Sequence, residues 1–270
     1  MGTMHETMTT SMLKPARAFL AALAALLFAA NGRAADKPAP GAERLTVFAG
    51  AASQPALKEA ARRFMEETGI QVDCNFGGSG TVLNQIRMEH FGDLYIPGSG
   101  DYMDKAEEEK IVDAGTRRVI CRLLPVICVA KGNPKQIREL PDLARPGLRV
   151  AIGDPKSVCL GSIAKAALEK AGVYEQVRQR IVTFASDCQQ VASLIRMDEV
   201  DAAIGYDVFQ RQSPDDLDTV PLVGVADVTV PVGVVAFSKQ KESAQRFADY
   251  LAGPKGREVF VRHGYTVDKP

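Results

Sequence analysis

A repeated local pattern constrains the fold of this chain more than any other feature: an apolar run, then a turn of small residues, then an amphipathic segment. The first copy runs through residues 45–53 into a helical pattern at 56–68, and the second runs through 72–79 into 81–90. Such pairs are typical of β-strands that lead directly into helices. Later segments continue the alternation, so we expect an α/β fold with mostly parallel sheets.

Each of these turns carries a serine where the helix is expected to begin, Ser53 in the first copy and Ser79 in the second. A serine at a helix start places a hydroxyl and backbone N–H groups at the positive end of the helix dipole. Two such ends at the carboxyl edge of one parallel sheet predict a pocket for a small anion. The alternative is an ordinary N-cap, although Gly78 and Gly80 would let a ligand approach the backbone beside Ser79.

Residues 1–35 have the organisation of a secretory signal peptide. Lys14 and Arg17 precede an apolar run that is too short for a comfortable membrane span, and small residues then offer a cleavage site after Ala34. Residues 36–43 are expected to be a flexible lead-in. We therefore expect a periplasmic protein, with an uncleaved N-terminal anchor as the alternative.

Charge and cysteine content narrow the possible partners. The chain has 33 basic and 33 acidic residues without a basic tract, which argues against nucleic acid because phosphate neutralisation needs clustered lysine and arginine. Only three histidines are present, so a histidine-based metal centre is not expected. The five cysteines all follow the leader, where an oxidising compartment permits disulfides and an odd number leaves at least one thiol unpaired.

The order of apolar runs predicts two lobes. The run at 123–130 opens a second set of strands and helices, and the run at 228–237 leaves it. We assign residues 44–124 and 239–270 to lobe 1 and residues 125–238 to lobe 2. A chain that enters a second lobe and returns makes two crossings, with a cleft between the lobes.

In this order of elements the chain resembles the periplasmic molybdate-binding proteins of ABC importers, which have the type II periplasmic binding-protein fold. The resemblance spans essentially residues 44–266. It implies a binding protein and not an enzyme, a small oxyanion ligand (molybdate or tungstate), no cofactor, a monomer, and as partners a membrane permease with its cytoplasmic ATPase. The matching segments are residues 47–53, 76–81, 93–96, 150–155, 200–206, 247–254 and 260–265.

The resemblance also implies a ligand site built from both lobes without a lysine or arginine. A buried dianion held by such donors gains about 1.5–3 kcal/mol from each charge-assisted hydrogen bond. For Tyr206, a half-buried aromatic residue at a strand end is the alternative. The implied positions are Ser53, Ser79, the loop at Cys159 and Leu160, the helix start at Cys188 and the hydroxyl of Tyr206, with Gly78 and Gly80 beside Ser79.

Cys159 and Cys188 depart from the family pattern, because both fall on second-lobe loops that should donate backbone groups to the anion. A disulfide between the two loops is the favoured interpretation. A thiol pair for a soft metal or a metalloid ligand such as arsenite is the second, and two unrelated buried thiols are the third. Cys74 alternates with Val72 and Phe76 along a strand and is expected in the core.

The sequence therefore predicts a solute-binding protein whose lobes close on an oxyanion. A nucleophile elbow, paired histidines and a convincing carboxylate pair are all missing from the sequence, which argues against an enzyme. Two alternatives stay open: the same fold tuned to another ligand (sulfate, phosphate, chromate or arsenite), and a sensory binding module that feeds a signalling receptor.

Overall fold

The computed structural model describes residues 43–267. The signal peptide predicted over residues 1–35, its cleavage near Ala34 and most of the lead-in lie outside the described residues. The strands are β1 (Arg44–Gly50), β2 (Gln71–Gly77), β3 (Leu94–Ile96), β4 (Arg118–Leu123), β5 (Pro125–Ala130), β6 (Val150–Gly153), β7 (Ile181–Ala185), β8 (Ala202–Tyr206), β9 (Leu217–Pro221) and β10 (Val228–Val234). The helices are α1 (Gln54–Thr68), α2 (Ser79–Glu89), α3 (Gly100–Glu108), α4 (Cys159–Lys170), α5 (Tyr174–Arg178), α6 (Cys188–Arg196), α7 (Asp207–Gln212), α8 (Lys241–Ala252) and α9 (Pro254–Arg262).

The strands form two five-stranded sheets with the same arrangement. The first has the order β2-β1-β3-β10-β4, and the second has the order β7-β6-β8-β5-β9. In each sheet three neighbouring strands are parallel, and the fourth, β10 or β5, is antiparallel to the strands on both sides. This confirms the α/β fold with two lobes. The sheets are mixed, with two parallel and two antiparallel pairings in each.

Two short segments connect the sheets. Leu124 alone separates β4 from β5, and residues 222–227 separate β9 from β10. Leu123 at the end of β4 is paired with Val228 at the start of β10, so the two crossings lie side by side. This adjacency gives the lobes a two-stranded hinge.

The position of β10 differs from the sequence-based boundary. Lobe 2 was expected to run to residue 238, whereas β10 pairs with β3 and β4 in the first sheet. The run at 228–237 is apolar enough to fill either sheet, and only long-range pairing decides between them. The predicted closing helices are present as α8 and α9, which pack against β4 of the first sheet.

Helix α1 shows how the sequence sets the start of the site. Pro55 lies in its first turn, and Gly69 ends it in the left-handed region with φ 75°. Its apolar face, from Ala56 to Phe64, is buried and packs against β2. Each apolar Å² removed from water contributes about 25 cal/mol, so this packing holds the turn between β1 and α1 in place.

Candidate functional site

Six loops at the carboxyl ends of parallel strands face one another across the cleft. In the first lobe they follow β1, β2 and β3, and in the second they follow β6, β7 and β8. Ligands of open α/β sheets bind at such edges because the loops and helix starts gather there. The predicted site residues occupy these loops.

Ser79 is the first residue of α2, and the N-cap is Gly78. The expectation that Ser79 caps the helix is therefore wrong by one residue, because Gly78 takes the extended conformation that a cap requires. The Ser79 hydroxyl instead accepts a hydrogen bond from the Gly98 N–H at 3.0 Å. Its own proton is left to donate elsewhere.

Ser53 ends the 3-10 turn Ala51–Ser53 that joins β1 to α1. It is at the N-cap position of α1, but its hydroxyl does not cap the helix and donates to the Gly50 carbonyl at 3.0 Å. A Cβ atom at Gly50 would lie 3.5 Å from Ser79 Oγ, so the β1 and β2 ends are neighbours. Both serines are 2% exposed.

Cys159 is the first residue of α4, and its side chain reaches across the cleft to the first lobe. A Cβ atom at Gly98 would lie only 2.8 Å from Cys159 Sγ, so the thiol touches the loop after β3. The Tyr206 hydroxyl lies 3.7 Å from the same sulfur. The hydroxyls of Ser79 and Ser99 help to lower the pKa of this thiol, so polar groups from both lobes act on one atom.

Cys188 is the first residue of α6, so the helix starts there as expected, and its N-cap is Asp187. The Asp187 carboxylate accepts from the N–H groups of Gln189 and Gln190 at 2.8 and 2.9 Å. Cys159 and Cys188 each shift the pKa of the other, and the Leu160 N–H acts to lower the pKa of Cys188. The two thiols therefore meet between the starts of α4 and α6.

All five cysteines are free thiols in the structure, so the disulfide favoured from the sequence is not formed. The Tyr206 hydroxyl, 3.7 Å from Cys159 Sγ, gives that buried thiol a hydrogen-bond partner. Cys74 is half-buried in β2 and packs against the main core, in agreement with the prediction for it.

The pKa values of the two thiols move in opposite directions. The hydrogen bond from Cys188, with those from Ser79, Tyr206 and Ser99, lowers the pKa of Cys159 to about 6 against the opposing effect of burial. The interaction with Cys159, together with burial, raises the pKa of Cys188 well above its usual value. Cys159 is the more acidic because three hydroxyls converge on it. The cleft thus stabilises one negative charge with neutral donors.

Glycines 78 and 80 lie where the two lobes touch. The Gly80 N–H donates to the Ser157 carbonyl of the second lobe at 2.9 Å. A Cβ atom at Gly78 would lie 2.6 Å from the Ser157 oxygen and 2.9 Å from that of Ser186, so only glycine permits this approach. The cleft is therefore closed, and both glycines contact backbone of the opposite lobe.

Ser99 is a site residue that the sequence reasoning missed. It is the N-cap residue of α3 and 2% exposed, and its hydroxyl has no hydrogen-bond partner among the described residues. Ser99 also contributes to the lowered pKa of Cys159. A signal was present, because residues 97–100 form a small-residue turn after β3 like those after β1 and β2. A three-residue strand made this third unit less conspicuous.

Two features are absent from residues 43–267. None of the helices there is both long and apolar enough to cross a bilayer. In the same range, His, Cys, Asp and Glu side chains do not gather in threes at a point where they could hold a metal ion.

Two similar lobes, a two-stranded hinge and a closed cleft lined by helix starts and hydroxyls define the class: a two-lobed ligand-binding protein. Residues 45–266 match the family model described as bacterial extracellular solute-binding protein. The chain belongs to this family, and it is a solute-binding protein and not an enzyme.

Individual relatives carry more specific names. The chain is 30% identical to the molybdate-binding protein ModA of Escherichia coli over 252 residues, which is 90% of this chain and 95% of the relative. Among solved structures, the periplasmic molybdate-binding protein of Azotobacter vinelandii superimposes with a TM-score of 0.73 at 18% identity, over 83% of this chain and all of that one. The sulfate-binding protein SubI of Mycobacterium tuberculosis superimposes with a TM-score of 0.72 at 18% identity, over 84% of this chain and 88% of that one. The two structures show a shared fold.

Proposed function

We propose that this protein captures a small tetrahedral oxyanion, molybdate or tungstate, in the closed cleft and delivers it to an ABC importer. Its partners are a membrane permease and the cytoplasmic ATPase of that importer. The protein acts in the periplasm as a monomer without a resident cofactor, after cleavage of its signal peptide near Ala34.

The observation that carries this proposal is the environment of Cys159 Sγ. The Tyr206 hydroxyl of the second lobe lies 3.7 Å from this atom, and the hydroxyls of Ser79 and Ser99 from the first lobe join it in lowering the pKa of the thiol. Donors that stabilise a thiolate also stabilise an oxyanion oxygen, because both accept hydrogen bonds and carry negative charge. Each such bond contributes about 1.5–3 kcal/mol, so several together offset much of the dehydration of a dianion.

Neutral donors also suit a carrier that must release its ligand. The ligand would contact both lobes and stabilise the closed state, in which Gly80 N–H bonds Ser157 O at 2.9 Å and Gln189 Nε2 bonds Ala51 O at 3.3 Å. A differential contact energy of a few kcal/mol populates this state, and opening at the permease removes it.

The choice of oxyanion follows the relatives. The Escherichia coli relative is named for molybdate, and it is 30% identical over most of the chain. The likeness of fold to a sulfate-binding protein makes sulfate the second candidate. The two anions differ in size, and selection between them depends on small differences in donor placement.

The test is a calorimetric titration of the chain lacking residues 1–34 with molybdate, tungstate, sulfate and phosphate. We expect one molybdate or tungstate per chain, bound more tightly than the other two anions. Ser79→Ala should weaken binding about 10- to 100-fold, because one charge-assisted bond is lost. Ser193→Ala is the matched control, because that hydroxyl bonds the Gln189 carbonyl within α6.

Heat changes indistinguishable from dilution for all four anions would refute the oxyanion assignment.

The importer is tested separately, by ATP hydrolysis of the permease–ATPase complex in vesicles. We expect the loaded protein to stimulate hydrolysis. An unstimulated complex would favour the sensory module instead.

A further inference from the structure

The thiol groups of Cys159 and Cys188 are not needed for the proposed oxyanion site. Backbone N–H groups at the starts of α4 and α6 are available from any residue type, yet two cysteines stand there. They are 1% and 4% exposed, and they come from loops that follow different strands. The two loops converge at Gly78, where a Cβ atom would lie 2.6 Å from the Ser157 oxygen and 2.9 Å from the Ser186 oxygen, and each thiol shifts the pKa of the other. A pair of thiols facing the ligand position is a chelating group in its own right.

We infer that Cys159 and Cys188 form a dithiol site for trivalent arsenic, which enters the cleft as arsenite. This inference rests on the proposed function only in that the closed cleft is the place where a solute binds. Thiols are soft ligands and select soft partners over hard oxygen-seeking cations. The buried Ser99 hydroxyl has no hydrogen-bond partner among the described residues, and the adjacent Gly98 touches the Cys159 thiol, so Ser99 is placed to hydrogen-bond the remaining hydroxyl on arsenic.

The binding step balances without an oxidant or a reductant. Arsenite, As(OH)₃, exchanges two hydroxyl groups for the two sulfurs. Two As–O bonds break and two As–S bonds form, and the two thiol protons leave with the two hydroxides as two molecules of water. Arsenic stays trivalent and keeps one hydroxyl group.

The charge of the site fits this ligand. The groups that lower the pKa of Cys159 (Cys188, Ser79, Tyr206 and Ser99) are uncharged donors. A dithiol bound to As–OH is also neutral, so loading buries no uncompensated charge. Metal ions that prefer three or more protein ligands fit less well, because residues 43–267 contain no cluster of three metal-binding side chains.

Cys159 should react with arsenite more readily than the three cysteines outside the cleft. Hydrogen bonding lowers the pKa of Cys159, and the thiolate is the form that attacks a soft centre. Burial raises the pKa of Cys74 and of Cys128 to about 12 and that of Cys121 well above its usual value. These three thiols are inert by comparison.

The experiment is native mass spectrometry of the chain lacking residues 1–34, titrated with sodium arsenite. We expect one adduct per chain, with the mass of one As–OH group less two hydrogens. Cys159→Ser and Cys188→Ser should each weaken arsenite binding about 100-fold or more. Cys74→Ser, which changes a half-buried cysteine of β2, is the matched control and should keep the adduct.

A second readout does not depend on the variants folding. Of the five thiols of the wild-type protein, arsenite should block two, and peptide mapping should find them at Cys159 and Cys188. Absence of the adduct, or its loss in Cys74→Ser with retention in Cys159→Ser, would overturn the inference.

A parallel titration of the wild-type protein with molybdate keeps the two proposals separate. Molybdate binding without arsenite binding removes only the dithiol site, and the reverse result removes only the oxyanion assignment.

Discussion

At the scale of single residues, the chemistry of the cleft centres on Cys159. Its sulfur lies 3.7 Å from Tyr206 Oη. Cys188 and the hydroxyls of both lobes lower its pKa to about 6, far below that of an isolated thiol. The position next to it, Leu160, supplies only its backbone N–H, which bonds Cys188. At the start of α4, Cys159 therefore contributes its side chain to the site and Leu160 contributes its backbone.

The acidity of Cys159 predicts that oxyanion affinity depends on pH. Below about pH 6 the thiol is neutral, and above it the thiolate carries a negative charge inside the pocket. Because this charge repels a dianion and occupies its donors, affinity should fall up to about tenfold per pH unit above pH 6. Calorimetry between pH 5.5 and 8.5 measures this. Cys159→Ser should flatten the profile, and an equally flat profile in the wild type would contradict the prediction.

The hydroxyl of Tyr206 should contribute directly to ligand affinity. Tyr206 is fully buried, and its hydroxyl contacts the sulfur at the centre of the site. Tyr206→Phe keeps the ring and removes one donor, so molybdate affinity should fall about 10- to 100-fold. Tyr250→Phe is the matched control, because that hydroxyl has no hydrogen-bond partner among the described residues and lies on α8. Equal affinities of the two variants would exclude Tyr206 from the site.

At the scale of elements, each lobe places a buried aspartate at the start of the strand beside its central parallel strand. Asp93, before β3, accepts from the Thr46 N–H at 2.8 Å, and Asp201, before β8, accepts from the Arg149 N–H at 2.8 Å. These bonds tie neighbouring strands at the end opposite the cleft. Their equivalent positions match the shared strand order of the two sheets, a symmetry that the amino-acid sequence does not display as a repeat.

Replacing the second-lobe aspartate should destabilise the protein. Burial acts to raise the pKa of Asp201, but hydrogen bonds and charge from Arg149 outweigh it and lower the pKa. A lowered pKa in the folded state means that this stabilisation is full above the unfolded pKa and is lost as pH falls through the folded one. Asp201→Asn should therefore lower the free energy of unfolding by about 1.5–3 kcal/mol at neutral pH and less in acid.

Denaturant unfolding at neutral pH and near pH 3 measures both effects of Asp201→Asn. The matched control is Asp198→Asn, which changes a 92% exposed side chain that pairs with the same arginine. The control should cost less than about 0.5 kcal/mol, because exposed ion pairs contribute little. A cost as large as that of Asp201→Asn would show that Arg149, and not burial of the carboxylate, carries the effect.

At the scale of the whole molecule, closure depends on backbone contacts that leave no room for side chains. Gly78 meets Ser157 and Ser186 of the opposite lobe, so a methyl group there should hold the lobes apart. Gly78→Ala should weaken ligand binding about tenfold or more and keep the protein extended when ligand is added. Small-angle scattering with and without molybdate checks the change in shape. Gly115→Ala, with open space around its Cβ, should behave as the wild type.

Much of the architecture follows from local sequence, because strand and helix patterns are properties of short segments. The carboxyl-edge turns at Ser53 and Ser79 were located from strand–turn–helix patterns and the helix start at Cys188 from the family resemblance, and all three are present. The short third unit ending in Ser99 was missed, because a three-residue strand carries little periodicity. The placement of β10 also escaped local reasoning, because an apolar strand does not encode its partners.

The sequence by itself determined the α/β units, the helix starts at the site and the family, because these depend on local periodicity and on motifs in a fixed order. Only the tertiary structure decided which sheet receives β10, that Ser99 faces Cys159, and that Cys159 and Cys188 meet as free thiols. The physical reason is that these features depend on contacts between residues far apart in the chain. Such contacts are set when the two lobes pack together and the hinge closes.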